Sequence, residues 1–152
     1  MTRDEAIARL RRARAGTLAT VRPNGSPHVV PFVFAIASEG EALTAFWAVD
    51  DKPKTRREIQ RIENIEANTS VEFVVDGYDD DWSRLWWVRA GGRARVVSSA
   101  DERTRAVAAL GDKYTQYTAT PPDGAVIAIE IDRVTGWSAA EPSSAGRYER
   151  TP

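Results

Sequence analysis

The spacing of apolar residues along the chain changes several times, and each change marks an element. From Thr2 to about Ala15, Ile7 and Leu10, flanked by Ala6 and Ala13, form a thin stripe at helical spacing. Thr2 and Glu5 are placed as a capping box, so the segment is expected to be a small covering helix. Two β-rich runs follow, Thr17 to Arg22 and Pro27 to Ile36, separated by Pro23-Asn24-Gly25-Ser26. Asn-Gly supplies the positive φ angles of a tight hairpin. Ala42 to Val49 is a third strand, entered from the turn Ser38-Glu39-Gly40-Glu41.

Helical spacing returns from about Pro53 to Ala67, with Ile59, Ile62 and Ile65 or Glu66 along one side and Asn68 as the stop. Val71 to Asp76 alternates as a strand, with Val71, Phe73 and Val75 on one face. Leu85 to Val97 reads as strand again. Gly91-Gly92 within it is either a hairpin turn or a bulge in one long strand. Ser99 and Glu102 form a second capping box, opening a helix to about Asp112 with Val107 and Leu110 inward. Ala125 to Val134 sets Ile127, Ile129 and Ile131 on one face. Six strands and three helices in this order predict a mainly β protein, a closed or partly closed β-barrel with flanking helices. Residues 1–140 make one domain, and the Pro-, Ser- and Gly-rich tail 141–152 is expected to be mobile or draped on a partner.

Composition narrows the chemistry. The absence of cysteine excludes disulfides, thiolate zinc sites, iron–sulfur clusters and a cysteine nucleophile, and is compatible with a cytoplasmic setting. One histidine, His28, excludes any site built on two imidazoles. Twenty-one basic and twenty-two acidic side chains leave a net charge of −1, which gives no overall pull toward nucleic acid or an anionic membrane. The longest apolar run, Val29 to Ala37, contains Pro31 and falls far short of the roughly 20 residues that span a bilayer. Nothing in the opening residues reads as a signal peptide.

The most informative segment is Trp47 to Arg61. Pro53 suits the first position of a helix, and this start gathers Lys52, Lys54, Arg56 and Arg57 about the first turn. The helix dipole makes that end unfavourable for cations, so the cluster suits an anion such as phosphate, which would take free amides and charged donors together. The plain alternative is that Asp50, Asp51 and Glu58 neutralise these cations on a solvated face. Asp79-Asp80-Asp81 is expected to be a solvated turn, and Trp82, Trp86 and Trp87 either line a pocket for a planar ring or serve packing and dimer contact. His28 is expected at the surface or in a capping role.

The order of Gly25-x-Pro27-His28, Val30-Pro31, Trp47, Lys52-Pro53-Lys54, Arg61, Asn64-Ile65, Val75-Asp76-x-Tyr78 and Asp81-Trp82 through Trp86-Trp87-Val88-Arg89 resembles the flavin/deazaflavin oxidoreductases of the pyridoxamine-phosphate-oxidase-like split β-barrel superfamily. More narrowly it is similar to the actinobacterial F-420-dependent group. The resemblance implies a six-stranded, FMN-binding-like split β-barrel, homodimeric, with cofactor sites in the grooves between protomers. It implies a cofactor phosphate near Lys52, Pro53 and Lys54, with Arg57 or Arg61 behind, and a tricyclic ring against His28, Val30, Pro31, Phe46 and Trp47, with Trp87 also at the cofactor. Val30 stands where pyridoxamine-phosphate oxidases proper offer an arginine, which counts against that particular activity. The activity implied is hydride transfer between coenzyme F-420, a deazaflavin, and a small conjugated organic substrate. No catalytic side chain or metal is required, because the ring carries the hydride. FMN in place of the deazaflavin is the near alternative. A non-enzymatic module gripping a planar ligand or single-stranded nucleic acid through Trp86, Trp87 and the basic helix is the distant one.

Overall fold

The computed structural model describes residues 1–49 and 56–140; the side chains of residues 56–59 fall outside that description, as do residues 50–55 and the tail. The elements in order are α1 (Arg3–Arg12), β1 (Gly16–Val21), β2 (Pro27–Phe32), β3 (Ala35–Glu39), β4 (Ala42–Ala48), α2 (Arg56–Ala67), β5 (Ser70–Gly77), β6 (Trp86–Val96), α3 (Ala100–Lys113), α4 (Thr115–Ala119) and β7 (Val126–Ser138). The capping box of α1 forms as expected, with the Thr2 amide donating to Glu5 Oε2 at 2.8 Å and Thr2 Oγ1 accepting from the Glu5 amide at 3.3 Å. Gly25 takes φ 83° in the β1–β2 turn, and Asn24 Oδ1 accepts from the Ser26 amide at 3.0 Å.

All seven strands join one antiparallel sheet in the order β2-β1-β5-β6-β7-β4-β3. The expected run Pro27 to Ile36 is two strands, which makes seven where six were expected. It breaks at Val33-Phe34 because β2 and β3 occupy opposite edges of the sheet. Three residue steps from Phe32 to Ala35 cover at most about 11 Å, so the edges can be joined this briefly only if the sheet curls until they meet. That curling makes the split barrel. Edge position also explains Pro27 and Pro31, since proline removes a donor that an edge strand can spare.

Gly91-Gly92 lies within one long strand, not a hairpin. Pairing shifts from Gly91 opposite Arg133 to Gly92 opposite Ile131, leaving Asp132 as the extra residue on β7. A Cβ at Gly92 would stand 1.9 Å from the Glu130 carbonyl oxygen, so the backbones approach too closely for any side chain there. Strand β7 runs past the expected Val134 to Ser138, because Trp86, Trp87 and Val88 offer it partners at Ser138, Trp137 and Gly136.

The barrel interior holds Leu18, Phe32, Phe34, Trp47, Phe73, Val88, Ile127 and Ile129, closed by Ala6 and Leu10 of α1 and Ile65 of α2. Phe32, Phe34 and Phe73 meet at the crossover with ring centroids 5.0–5.3 Å apart. On the outer face, α3 buries Ala106 against Phe46, Val97, Val126 and Ala128. Leu110 of α3 packs with Ala35, with Tyr114 at the α3–α4 junction and with Tyr117 of α4, a short helix that no hydrophobic period announces. Among the described residues no helix is long and apolar enough to cross a membrane.

Candidate functional site

Where the curled sheet fails to close, an open cleft of about 250 Å³ is lined by Ala15, Pro31, Phe32, Val33, Trp47, Ala48, Arg61 and Tyr117. Each wall has a different origin. The β2–β3 crossover supplies Pro31 to Val33, the end of β4 supplies Trp47 and Ala48, α2 supplies Arg61, and α4 supplies Tyr117. The Arg61 guanidinium lies 4.9 Å over the Trp47 ring, a cation–π contact worth about 0.5–2 kcal/mol depending on desolvation. Trp47 is 1% exposed, and its indole nitrogen has no hydrogen-bond partner among the described residues. Leaving a buried donor unmet costs about 1–3 kcal/mol, so such an atom beside a cleft suits an acceptor brought by a ligand.

The crossover wall is stitched from behind. The Tyr114 hydroxyl stands 2.9 Å from the carbonyl oxygens of both Arg14 and Phe34, and accepts from the Phe34 amide at 3.2 Å. Lys113 Nζ donates to the Phe34 carbonyl at 2.8 Å and sits 4.4 Å over the Phe34 ring. Half-burial, aided by the nearby Arg14 charge, lowers the lysine to about 8; burial also pushes the Tyr114 phenol up.

The structure brings only part of the expected set together. Trp47, Pro31 and Arg61 share the cleft. Phe46 does not: adjacent strand residues point to opposite faces, so Phe46 is buried beneath α3 while Trp47 faces the interior. His28 is buried, not at the surface, because it shares inward parity with Val30 and Phe32 along β2. Its Nδ1 lies 3.5 Å from Thr20 Oγ1, which accepts from Asn64 Nδ2 of α2 at 2.9 Å. Trp87 lies opposite Trp137 on the outer sheet face and does not line the cleft. Trp86 packs against Gly77, where a Cβ would stand 2.2 Å from its indole nitrogen, with the Arg9 guanidinium 4.8 Å over its ring. As consecutive strand residues, Trp86 and Trp87 face opposite sides and cannot sandwich one ligand. Lys52, Pro53 and Lys54 lie outside the described residues, and so does the Arg57 side chain. Ala15, Phe32, Val33, Ala48 and Tyr117 also line the cleft and were outside the expected set.

A curled antiparallel sheet with a cleft beside its β2–β3 crossover and a cation over an indole on one wall is the architecture of a split β-barrel. The chain belongs to the pyridoxamine 5'-phosphate oxidase family, whose model matches residues 2–138. No curated protein matches the sequence. Among solved structures, a conserved hypothetical protein from Mycobacterium tuberculosis superposes with a TM-score of 0.70 at 20% identity, covering 97% of this chain and 94% of that one. An FAD-binding protein from Mesorhizobium loti gives 0.63 at 23% identity, covering 90% and 94%. The FAD-binding protein from Mycobacterium smegmatis gives 0.63 at 19% identity, covering 90% and 95%. These likenesses speak for the fold.

Proposed function

We propose that the chain is an oxidoreductase that holds a tricyclic flavin-class ring in the cleft, with the deazaflavin coenzyme F-420 as its cofactor and a small conjugated organic molecule as its substrate. The observation that carries this reading is the Arg61–Trp47 pair with its unmet indole donor, in a cleft that Pro31, Phe32 and Tyr117 also line. A planar ring bearing carbonyl or ring-nitrogen acceptors fits that lining in shape and polarity. Its phosphate would fall to Lys52 and Lys54, just before the helix that carries Arg61. When bound, the ring supplies hydride-transfer chemistry. The residues of the chain bind it, orient it through Trp47 and Arg61, and exclude water with the Phe32–Val33 wall.

A cleft of about 250 Å³ is smaller than the roughly 300–1,000 Å³ of most small-molecule sites. That favours a homodimer in which a second copy completes each groove. FMN is the second reading, favoured by the FAD-binding proteins among the structural neighbours. Titration of the purified protein with F-420 and with FMN, followed by fluorescence and visible absorption, tests both. Saturable F-420 binding with weaker FMN binding is the expected result. Purification with stoichiometric yellow FMN, and no F-420 binding at low salt, overturns the first reading in favour of the second. Binding of neither overturns both.

A further inference from the structure

We infer that a buried polar chain, Gln60–Asn64–Thr20–His28, sets the rotation of α2 and so holds Arg61 over Trp47, making Asn64 and Thr20 positioning residues of the cleft. Asn64 is 0% exposed and Thr20 is 2% exposed. Gln60 Nε2 donates to Asn64 Oδ1 at 2.9 Å, and Asn64 Nδ2 donates to Thr20 Oγ1 at 2.9 Å. The same Thr20 oxygen lies 3.5 Å from both His28 Nδ1 and the His28 carbonyl oxygen. The chain therefore ties α2 to the inner face of the β1–β2 hairpin.

Its geometry explains why an amide stands at 64 where leucine would bury more apolar surface. The contacts of Ile62 and Ile65 with the barrel core are apolar and non-directional, so they hold α2 on the sheet without fixing its roll. A hydrogen bond fixes direction. Arg61 and Asn64 are three residues apart, hence about 60° apart around the helix axis. With side chains reaching about 6 Å from the axis, a roll of about 20° would move the guanidinium by about 2 Å. That is enough to slide it off the indole face it now covers at 4.9 Å.

Thr20→Val keeps the shape and removes the acceptor, whereas Thr20→Ser keeps the hydroxyl. Trp47 supplies one of five indole ¹⁵N–¹H resonances, and a guanidinium charge 4.9 Å above its ring contributes to that resonance's position, by an amount that Arg61→Ala measures. The expected result is that Thr20→Val moves the Trp47 signal most of the way to its position in Arg61→Ala, while Thr20→Ser leaves it near wild type. Gln60→Met, which removes the outer bond to Asn64 together with a long one to the exposed Glu63, should move it a smaller distance the same way, and serves if Thr20→Val does not fold. An unmoved Trp47 signal in the folded variants overturns the inference. A second arm rests on the ligand reading above: Thr20→Val should weaken FMN or F-420 binding about tenfold, with no further loss when Arg61→Ala is added. Additive losses would return Thr20 to a merely structural role. If wild-type protein binds neither cofactor, the proposed function falls while the resonance arm still decides this inference.

Discussion

At the scale of single residues, the cleft depends on side chains whose neighbours differ sharply from those of the residues beside them. Trp47 has its ring beneath a guanidinium, while Phe46, one position away, supports α3. If the proposed phosphate site lies at the basic turn, Lys54→Ala should weaken cofactor binding by about 1–3 kcal/mol, the range of a charge-assisted hydrogen bond, with little change in melting temperature. Calorimetric titration and thermal unfolding of the same variant check this. Lys113 gives a pH prediction. Its folded-state value near 8 lies below the unfolded-chain value, so the unfolded chain binds more protons at higher pH. The burial penalty is then fully present below about pH 8 and is relieved as pH rises past it. Tyr114 works in the opposite sense, because its raised value lets the unfolded chain ionise first, near pH 10. Between about pH 8 and 9.5, wild type should therefore gain stability relative to Lys113→Met, read as a difference in the slope of melting temperature against pH.

At the scale of elements, the bulge between β6 and β7 decides the shape of the barrel wall. It inserts Asp132 on β7 and lets the parity of β7 change, so that Ile127 and Ile129 as well as Val134 pack toward the interior cluster. Gly92 makes this possible by close approach, whereas Gly25 is needed for its positive φ and has open space around it. Gly92→Ala should cost about 3 kcal/mol or more through overlap with the Glu130 backbone. Gly25→Ala should cost about 1 kcal/mol through backbone strain alone. Urea denaturation of the two variants separates overlap from strain.

At the scale of the whole molecule, the outer sheet face leaves Trp137 43% exposed opposite Trp87, the kind of surface a second copy would cover. The proposed homodimer should sediment as such at micromolar concentration, with an interface above roughly 1,200 Å². A monomer that keeps its cofactor affinity would refute it. F-420 carries a polyanionic tail beyond its phosphate, and Arg56 and Arg57 add cations beyond the Lys52 and Lys54 pair proposed for the phosphate. Its affinity should therefore fall more steeply with salt than that of FMN, since exposed charges are screened over about 8 Å at physiological ionic strength. Parallel titrations over a salt series test the difference.

The sequence by itself determined the elements whose information is local. The Thr2–Glu5 cap, the Asn24-Gly25 turn, the inward face of β5 and the core isoleucines of β7 each follow from spacing of a few residues. Trp47 and Arg61 were each marked from the sequence, as a ring contact and a phosphate contact, but only the structure stacks the one over the other. Only the tertiary structure decided what depends on residues distant in the chain. The break at Val33-Phe34 exists because the sheet curls and a single run must serve both edges, and no periodicity within that run records it. The inward burial of His28 became visible once the parity of β2 was fixed against β1 and the helix carrying Asn64. Tyr117 enters the cleft because α4 folds back on the crossover through Tyr114, bonded to residues 80 and 100 positions earlier. Such contacts are set by chain closure and packing, and they leave no local trace for a sequence pattern to carry.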